Sequence, residues 1–287
     1  MILPLWNRVT IVGCGLIGSS FALALKANHL CKRIAGWDSS EAVLAEAIRK
    51  GVIDEVDYSL ARGGVSESDL IYLALPVNAI ISFIRENSRA IKQGALITDS
   101  GSTKQEIMRA AREHLSNKCH FVGGHPIAGS HLSGIEHARA YLFAGNPYIL
   151  VSASAHEGDA AFTRLNETIA RCGASVVTMT AAEHDRAVAV VSHLPQLLSN
   201  VLAATVRSKH GGEDLLRVAG NGYADMTRLA SSSWSIWKDI LETNRAEIAA
   251  ALDESIKRLE SVRNELLVSD QANESQLSFT KSLFENS

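Results

Sequence analysis

The sequence predicts an α/β domain built on a doubly wound parallel sheet, followed by an all-α domain. Three observations carry that prediction. An apolar, β-branched run ending at Val12 stops at glycines and restarts with the helical spacing Phe21, Leu23, Ala24, Leu25, which is a strand, a tight turn and a helix. Strand-like and helix-like segments then alternate as far as Val177 and Thr178, the pattern of strands buried beneath crossover helices. From about Ala181 the strand signals stop and long helical stretches take over. The expected domains are therefore 1–180 and 181–287.

The elements follow in order. Ile34 to Trp37 is a second strand, and Glu41 to Lys50 a helix with Gly51 as its stop. Leu70 to Leu75 is a strand ended by Pro76, followed by the helical pattern Ile80, Ile81, Phe83, Ile84. Ala95 to Thr98 is a strand and Gln105 to His114 a helix. His120 to Gly123, Tyr148 to Val151 and Ser175 to Thr178 complete the strands. In the second domain, Ala182 to Lys209 and Trp234 to Leu267 read as helices, and Ser269 to Ser287 as a frayed polar end. Val188, Val191, Leu194, Leu198, Val201 and Leu202 keep helical spacing and read as core. Pro195 inside this stretch predicts a kink costing roughly 3 kcal/mol, as proline removes a helical hydrogen bond. The domain is too thin to bury so much apolar face on itself, which predicts a homodimer.

Composition excludes several classes. The chain has 287 residues, 46% hydrophobic and 21% charged, with a net charge of −3. No basic run suggests nucleic acid or anionic lipid. Met1 to Arg8 is too short and interrupted for a signal peptide, and no apolar segment is expected to cross a bilayer. The four cysteines, Cys14, Cys31, Cys119 and Cys172, lack metal or disulfide spacing, which fits reduced thiols in a cytoplasmic protein. His125, His131 and His137 fall six apart without carboxylate or thiol partners, so no metal site is expected.

The glycine turn carries the first functional signal. In Gly13-Cys14-Gly15-Leu16-Ile17-Gly18, Gly13 allows the turn, Gly15 lets backbone approach a pyrophosphate, and Gly18 lets the helix sit close on the strand. The amides at Leu16 and Ile17 open the helix and face the phosphate charge. Asp38 closes the second strand about twenty residues on, where a carboxylate binds ribose hydroxyls and repels a 2′-phosphate. Ser39 and Ser40 follow with no arginine, so NAD is expected over NADP. Pro76, at the end of the third strand, borders the same crevice. This is a Rossmann-type dinucleotide domain, with Cys14 as a small spacer.

Three further segments offer chemistry. Ser102, in Asp99-Ser100-Gly101-Ser102-Thr103-Lys104, follows a strand. It either hydrogen-bonds to a ligand or, with Thr103, caps the next helix. His125, in Gly123-Gly124-His125-Pro126-Ile127-Ala128-Gly129-Ser130, is suited to take a proton from an alcohol as hydride leaves. The alternative is a structural histidine in a tight turn, and the place of His125 at a strand's carboxyl end favours catalysis. The third segment joins Ser192-His193-Leu194-Pro195-Gln196 to Asp225-Met226-Thr227-Arg228. Arg228 has the planar fork for a carboxylate, although lone arginines are usually surface residues. Trp234 and Trp237 read as packing.

Together, Gly13 to Gly18, DSGST, GGHPIAGS, SHLPQ and DMTRLASSSWSIWKDI make the chain resemble the prephenate/arogenate dehydrogenases of tyrosine biosynthesis, almost end to end. The resemblance implies a small-molecule substrate, prephenate or arogenate, oxidised by NAD with loss of carbon dioxide. It places the catalytic histidine on His125, its supporting serine on Ser102, a substrate-binding histidine on His193 and the carboxylate-holding arginine on Arg228. Many members carry an acid where this chain has His131 and a second histidine where it has Gln196. Both positions border the substrate side chain, and loss of the acid favours prephenate, which has no ammonium group. Two other readings compete. β-Hydroxyacid and 6-phosphogluconate-type dehydrogenases share this plan but use a lysine in the helical domain, which has no counterpart here. A non-catalytic dinucleotide-binding dimer leaves GGHPIAGS and SHLP without a purpose.

Overall fold

The computed structural model describes residues 3–58, 67–115, 119–128, 132–152, 159–209, 212–268 and 277–285. The chain forms two compact units, Met1–Asp185 with Ser232–Thr243, and Arg186–Ser231 with Asn244–Ser287. The first unit thus takes in a helix from the region read as the second domain, because the chain returns to it between Ser232 and Thr243.

The first unit is an eight-stranded sheet among the described residues: β1 (Trp6–Val12), β2 (Cys31–Trp37), β3 (Glu55–Val56), β4 (Leu70–Leu73), β5 (Leu96–Asp99), β6 (His120–Pro126), β7 (Pro147–Val151) and β8 (Ser175–Met179). Their spatial order is β3-β2-β1-β4-β5-β6-β7-β8. Helices α1 (Leu16–Ala27), α2 (Glu41–Arg49), α3 (Val77–Asn87), α4 (Gln105–His114) and α5 (Ala160–Arg171) connect them. The order reverses between β1 and β4, and the carboxyl ends of these two strands open a ligand crevice there.

Burial explains the sheet. Val9, Ile11, Ile34, Leu70 and Tyr72 lie in one continuous core with Phe21, Leu25 and Leu165. Phe21 stacks on Tyr72 with ring centroids 3.9 Å apart. On the other face Val12, Ile71, Leu73 and Ile97 pack with Ile80, Ile84 and Ile107 of α3 and α4. Strands covered on both faces need near-continuous apolar runs, which is how these segments read.

Three details depart from the expected sheet. β3 is an additional two-residue strand. β7 pairs antiparallel with β6, while β8 runs parallel to β7. β6 continues through Gly124 and His125 to Pro126 because these residues pair with Tyr148, Ile149 and Leu150. His125 is thus the penultimate residue of a strand instead of part of a loop beyond it.

The helical region begins with α6 (Ala181–Val188), followed by a π-turn over Ala189–His193 and by α7 (Leu194–Ser208). The expected single helix is interrupted just before Pro195, which lies in the first turn of α7, where proline is tolerated. Then come α8 (Gly212–Leu216), α9 (Asn221–Thr227), a 3-10 turn over Arg228–Ser231, α10 (Trp234–Thr243) and α11 (Arg245–Val268). The second long helix expected from the sequence is broken at Asn244. Part of the expected frayed end forms α12 (Ser278–Glu285), whose start is held by Glu265 accepting from the amides of Phe279 and Thr280 at 2.9 and 2.8 Å. By length and composition alone, the 28 residues Ala181–Ser208 could cross a membrane, contrary to the sequence expectation. They also bury His184, Asp185, His193 and Gln196, polar groups whose desolvation must be met by protein partners.

Candidate active site

The glycine turn has the geometry its sequence asks for. Gly13 has φ +94°, and a Cβ there would lie 2.3 Å from the Ala74 carbonyl oxygen. At Gly18 a Cβ would lie 2.0 Å from the Gly13 carbonyl oxygen, so α1 rests directly on the turn. Gly15 has open space where its Cβ would stand and precedes the first residues of α1, Leu16 and Ile17. Cys14 donates its amide to Asp38 Oδ2 at 2.9 Å, and Ser40 donates to Asp38 Oδ1 at 2.9 Å. Asp38 is thus fixed against the turn at the end of β2. The Cys14 thiol is pushed up to about 12 by burial and then by Asp38, which keeps it protonated and unreactive. Pro76 precedes α3 at the end of β4. A glycine cradle at a helix start beside a held carboxylate fits a dinucleotide.

His125 stands at the centre of a second group in the same unit. Its Nδ1 lies 2.8 Å from His184 Nε2, and His184 Nδ1 lies 2.7 Å from Asp185 Oδ1. The Asp185 carboxylate also accepts from the backbone amides of Lys104 and Gln105 at 2.7 and 2.8 Å. It therefore caps α4, a task that Ser102 or Thr103 was equally suited to by sequence. Thr103 instead bonds Thr243 at 2.7 Å. Ser102 is half-buried in the loop between β5 and α4 and makes no hydrogen bond among the described residues.

Beneath this group lies a fully buried ion pair, Lys104 with Asp99. Asp99 also accepts from Gly101 N at 2.8 Å and Gly124 N at 3.0 Å, which fixes the backbone next to His125. Burial pushes the Lys104 ammonium down, against the attraction of Asp99. Burial likewise lowers His184, so its neutral ring is favoured. At Asp185 burial acts upward, but the bond to His184 and the two amides outweigh it and hold the carboxyl below the usual range.

In the helical unit His193 ends the π-turn and is buried, with Asn244 Nδ2 3.3 Å from its Nδ1. Gln196 is buried and gives its amide nitrogen to the Leu229 carbonyl at 2.6 Å and to Asn200 Oδ1 at 2.7 Å. It thereby ties α7 to the turn that starts at Arg228. Arg228 is exposed, with no ion pair among the described residues. His131 lies outside the described residues.

The sequence reading missed His184, Asp185, Asp99, Lys104 and Asn244. A capping box does announce α6: Thr180 accepts from Glu183 N at 3.2 Å and Glu183 accepts from Thr180 N at 2.8 Å. That box sets His184 at the end of the first turn and Asp185 just after it, but nothing local says where they point.

Comparison with known proteins identifies the family. Residues 21–178 match the family model described as prephenate dehydrogenase, nucleotide-binding domain, and residues 180–283 match its dimerization domain. A prephenate dehydrogenase of Bacillus subtilis is 37% identical over 272 residues, 93% of this chain and 72% of that protein. A cyclohexadienyl dehydrogenase of Zymomonas mobilis is 30% identical, covering 93% of this chain and 91% of that one. A crystal structure of prephenate dehydrogenase from A. aeolicus, in complex with hydroxyphenyl propionate and NAD+, superposes with a TM-score of 0.87 at 29% identity, covering 96% of each chain. With both domain models matched in order and the glycine turn, His125 and Asp38 placed as described, the chain belongs to the prephenate dehydrogenase family.

Proposed function

We propose that this protein carries out the NAD-dependent oxidative decarboxylation of prephenate, and to a lesser extent arogenate, in tyrosine biosynthesis, with His125 as the general base. The observation that carries this reading is the fixed imidazole of His125 at the carboxyl end of β6, in the unit that also holds the glycine cradle and Asp38. Bound NAD+ supplies the hydride acceptor. Gly13, Gly15 and Gly18 with the amides of Leu16 and Ile17 hold its pyrophosphate, Asp38 its ribose, and Pro76 borders the crevice.

The side chains then have separate tasks. His125 accepts the substrate hydroxyl proton, and the Ser102 hydroxyl is available to hold the same oxygen. His193, whose Nδ1 faces Asn244, helps to bind the substrate. Arg228 holds the ring carboxylate with its uncommitted fork. Gln196 supports that arginine through Leu229. Carbon dioxide leaves as the ring becomes aromatic, so the protein need only position and polarise. His131 stands in sequence where an acid would pair with the arogenate ammonium, which supports the preference for prephenate.

Residues 1–180 act as the nucleotide domain and 181–287 as the substrate and dimerisation domain of a cytoplasmic homodimer. Val191 and Val201, expected from their spacing to be core, are instead exposed on the protomer, and together with exposed Leu266 and Leu267 and the dimerization-domain match they support the dimer. The test is the initial rate of NADH formation from prephenate and from arogenate, compared with NADPH formation. Turnover of prephenate with NAD, lowered roughly 10²–10⁴-fold in His125→Asn, is the expected result for loss of a general base. A near-normal rate in that variant would overturn the mechanism.

A further inference from the structure

We propose that His184 and Asp185 are positioning residues that fix the tautomer and ring orientation of His125, leaving its Nε2 as the proton acceptor. The inference rests on the reading of His125 as the base.

The hydrogen-bond chain settles the direction of every donor. Asp185 takes two backbone amides from the start of α4 and the His184 Nδ1 contact, the surroundings of an ionised carboxylate, which only accepts. His184 must therefore carry its proton on Nδ1. A neutral His184 then presents Nε2 as a lone pair, and the 2.8 Å contact requires His125 to donate from Nδ1. Neutral His125 is left with its lone pair on Nε2. The opposite arrangement needs a doubly protonated His184, whose cost in a ring with no exposed surface is that of a buried charge.

The charged and titratable groups around His184 come from four elements: Asp185 on α6, Lys104 before α4, Asp99 on β5 and His125 on β6. Lys104 and Asp99 neutralise each other, which leaves the Asp185 charge to balance the cation that forms on His125. In the reaction the substrate O–H bond breaks, its proton bonds to His125 Nε2 and its electron pair stays on the oxygen. The imidazolium charge is shared along His125 Nδ1–H to His184 and on to Asp185. No proton has to reach the carboxylate. A second histidine and a carboxylate thus act through His125, as a carboxylate acts through histidine in hydrolytic triads.

The experiment compares the pH dependence of kcat, and KM for NAD, in the parent, His125→Asn, His184→Leu, His184→Gln and Asp185→Asn. Long-range nitrogen-15 spectra of the histidines in the parent read the tautomer directly. We expect His184→Leu to lower kcat on the order of 10²-fold, with KM for NAD unchanged. Its acidic limb should move to lower pH because the imidazolium loses its partner. His184→Gln, whose amide oxygen accepts at the same place, should recover most of the rate. In the parent, His125 should show a protonated Nδ1 and an unprotonated Nε2.

Parent-like kcat and acidic limb in His184→Leu, with His125→Asn inactive, would overturn this proposal and leave the base intact. Parent-like turnover in His125→Asn would overturn the base itself. Should His184→Leu fail to fold, the parent spectrum decides: a His125 protonated on Nε2 refutes the assignment.

Discussion

Two glycines three residues apart in the cofactor turn answer to different physics, and alanine at each separates binding from stability. At Gly15 an added methyl meets nothing within 4 Å. The residue precedes α1 in extended backbone, φ −76° and ψ −161°, which alanine adopts freely. Gly15→Ala should therefore fold normally, at a cost of about 0.5–1 kcal/mol for a poorer cap. The space it fills is the approach of the pyrophosphate. Holding the anion off by one methyl radius weakens several amide–phosphate contacts at once, so affinity for NAD should fall about tenfold or more, about 1.4 kcal/mol. At Gly18 the methyl would lie 2.0 Å from the Gly13 carbonyl oxygen, 2.9 Å from Ile11 Cγ2 and 3.0 Å from Ala74 Cβ. The nearest atom is backbone in the turn itself, so α1 must shift. The gain of up to about 1 kcal/mol from alanine in a helix is set against overpacking of about 1–3 kcal/mol, or more where backbone must move. We expect a net loss of about 2 kcal/mol. Denaturant unfolding and NAD titration by fluorescence read the two variants. Parent-like NAD affinity in Gly15→Ala would refute the placement of the pyrophosphate over the turn, whatever happens at Gly18.

Three other outcomes follow from the same contacts. Asp99→Asn leaves the Lys104 ammonium buried without its partner and should cost about 3–5 kcal/mol; if pairing is the cause, adding Lys104→Met will restore part of the loss in denaturant melts. Burial lowers His184 in the folded state, so unfolded chains take up its proton first as pH falls below about 6.5; stability is full well above that pH and falls below it, by up to about 1.4 kcal/mol at pH 5.5 relative to His184→Gln, and equal slopes in the two proteins would contradict the shift. Arg228→Ala should raise KM for prephenate roughly 10- to 100-fold, the loss of a charge-assisted bond, without changing KM for NAD; Arg228→Lys should recover little because the fork is lost, and an unchanged KM for prephenate would exclude Arg228 as the carboxylate anchor.

What the sequence makes legible is mostly what is contiguous. β1, the glycine turn and α1 read correctly because periodicity, turn and helix start lie within twenty residues. The direction of β7 does not, since Tyr148 to Val151 is equally apolar in a parallel or an antiparallel pair. The end of β6 is hidden for a related reason. Gly124 and Pro126 look like strand breakers, yet a Cβ at Gly124 would lie 2.4 Å from the Asp99 carbonyl oxygen, so glycine is there to let two strands close up. β3 is too short to leave a pattern, and the π-turn keeps the same apolar spacing as a regular helix.

The site divides in the same way. His125, flanked by glycines and a proline, is odd enough in its own segment to suggest chemistry. His184 and Asp185 sit near the start of α6, where a histidine and an acid usually face water, and their purpose depends on contacts 59 and 81 residues away. A local rule points toward them only by its failure. α4 starts just after Ser102 and Thr103, either of which would serve as its cap, yet neither does. Thr103 is bonded to Thr243, Ser102 is left with its hydroxyl uncommitted, and Asp185 supplies the cap. A buried helix start that leaves its own capping hydroxyls unused needs an acceptor from elsewhere in the fold, and here that acceptor is the Asp185 carboxylate, which also holds His184 against His125.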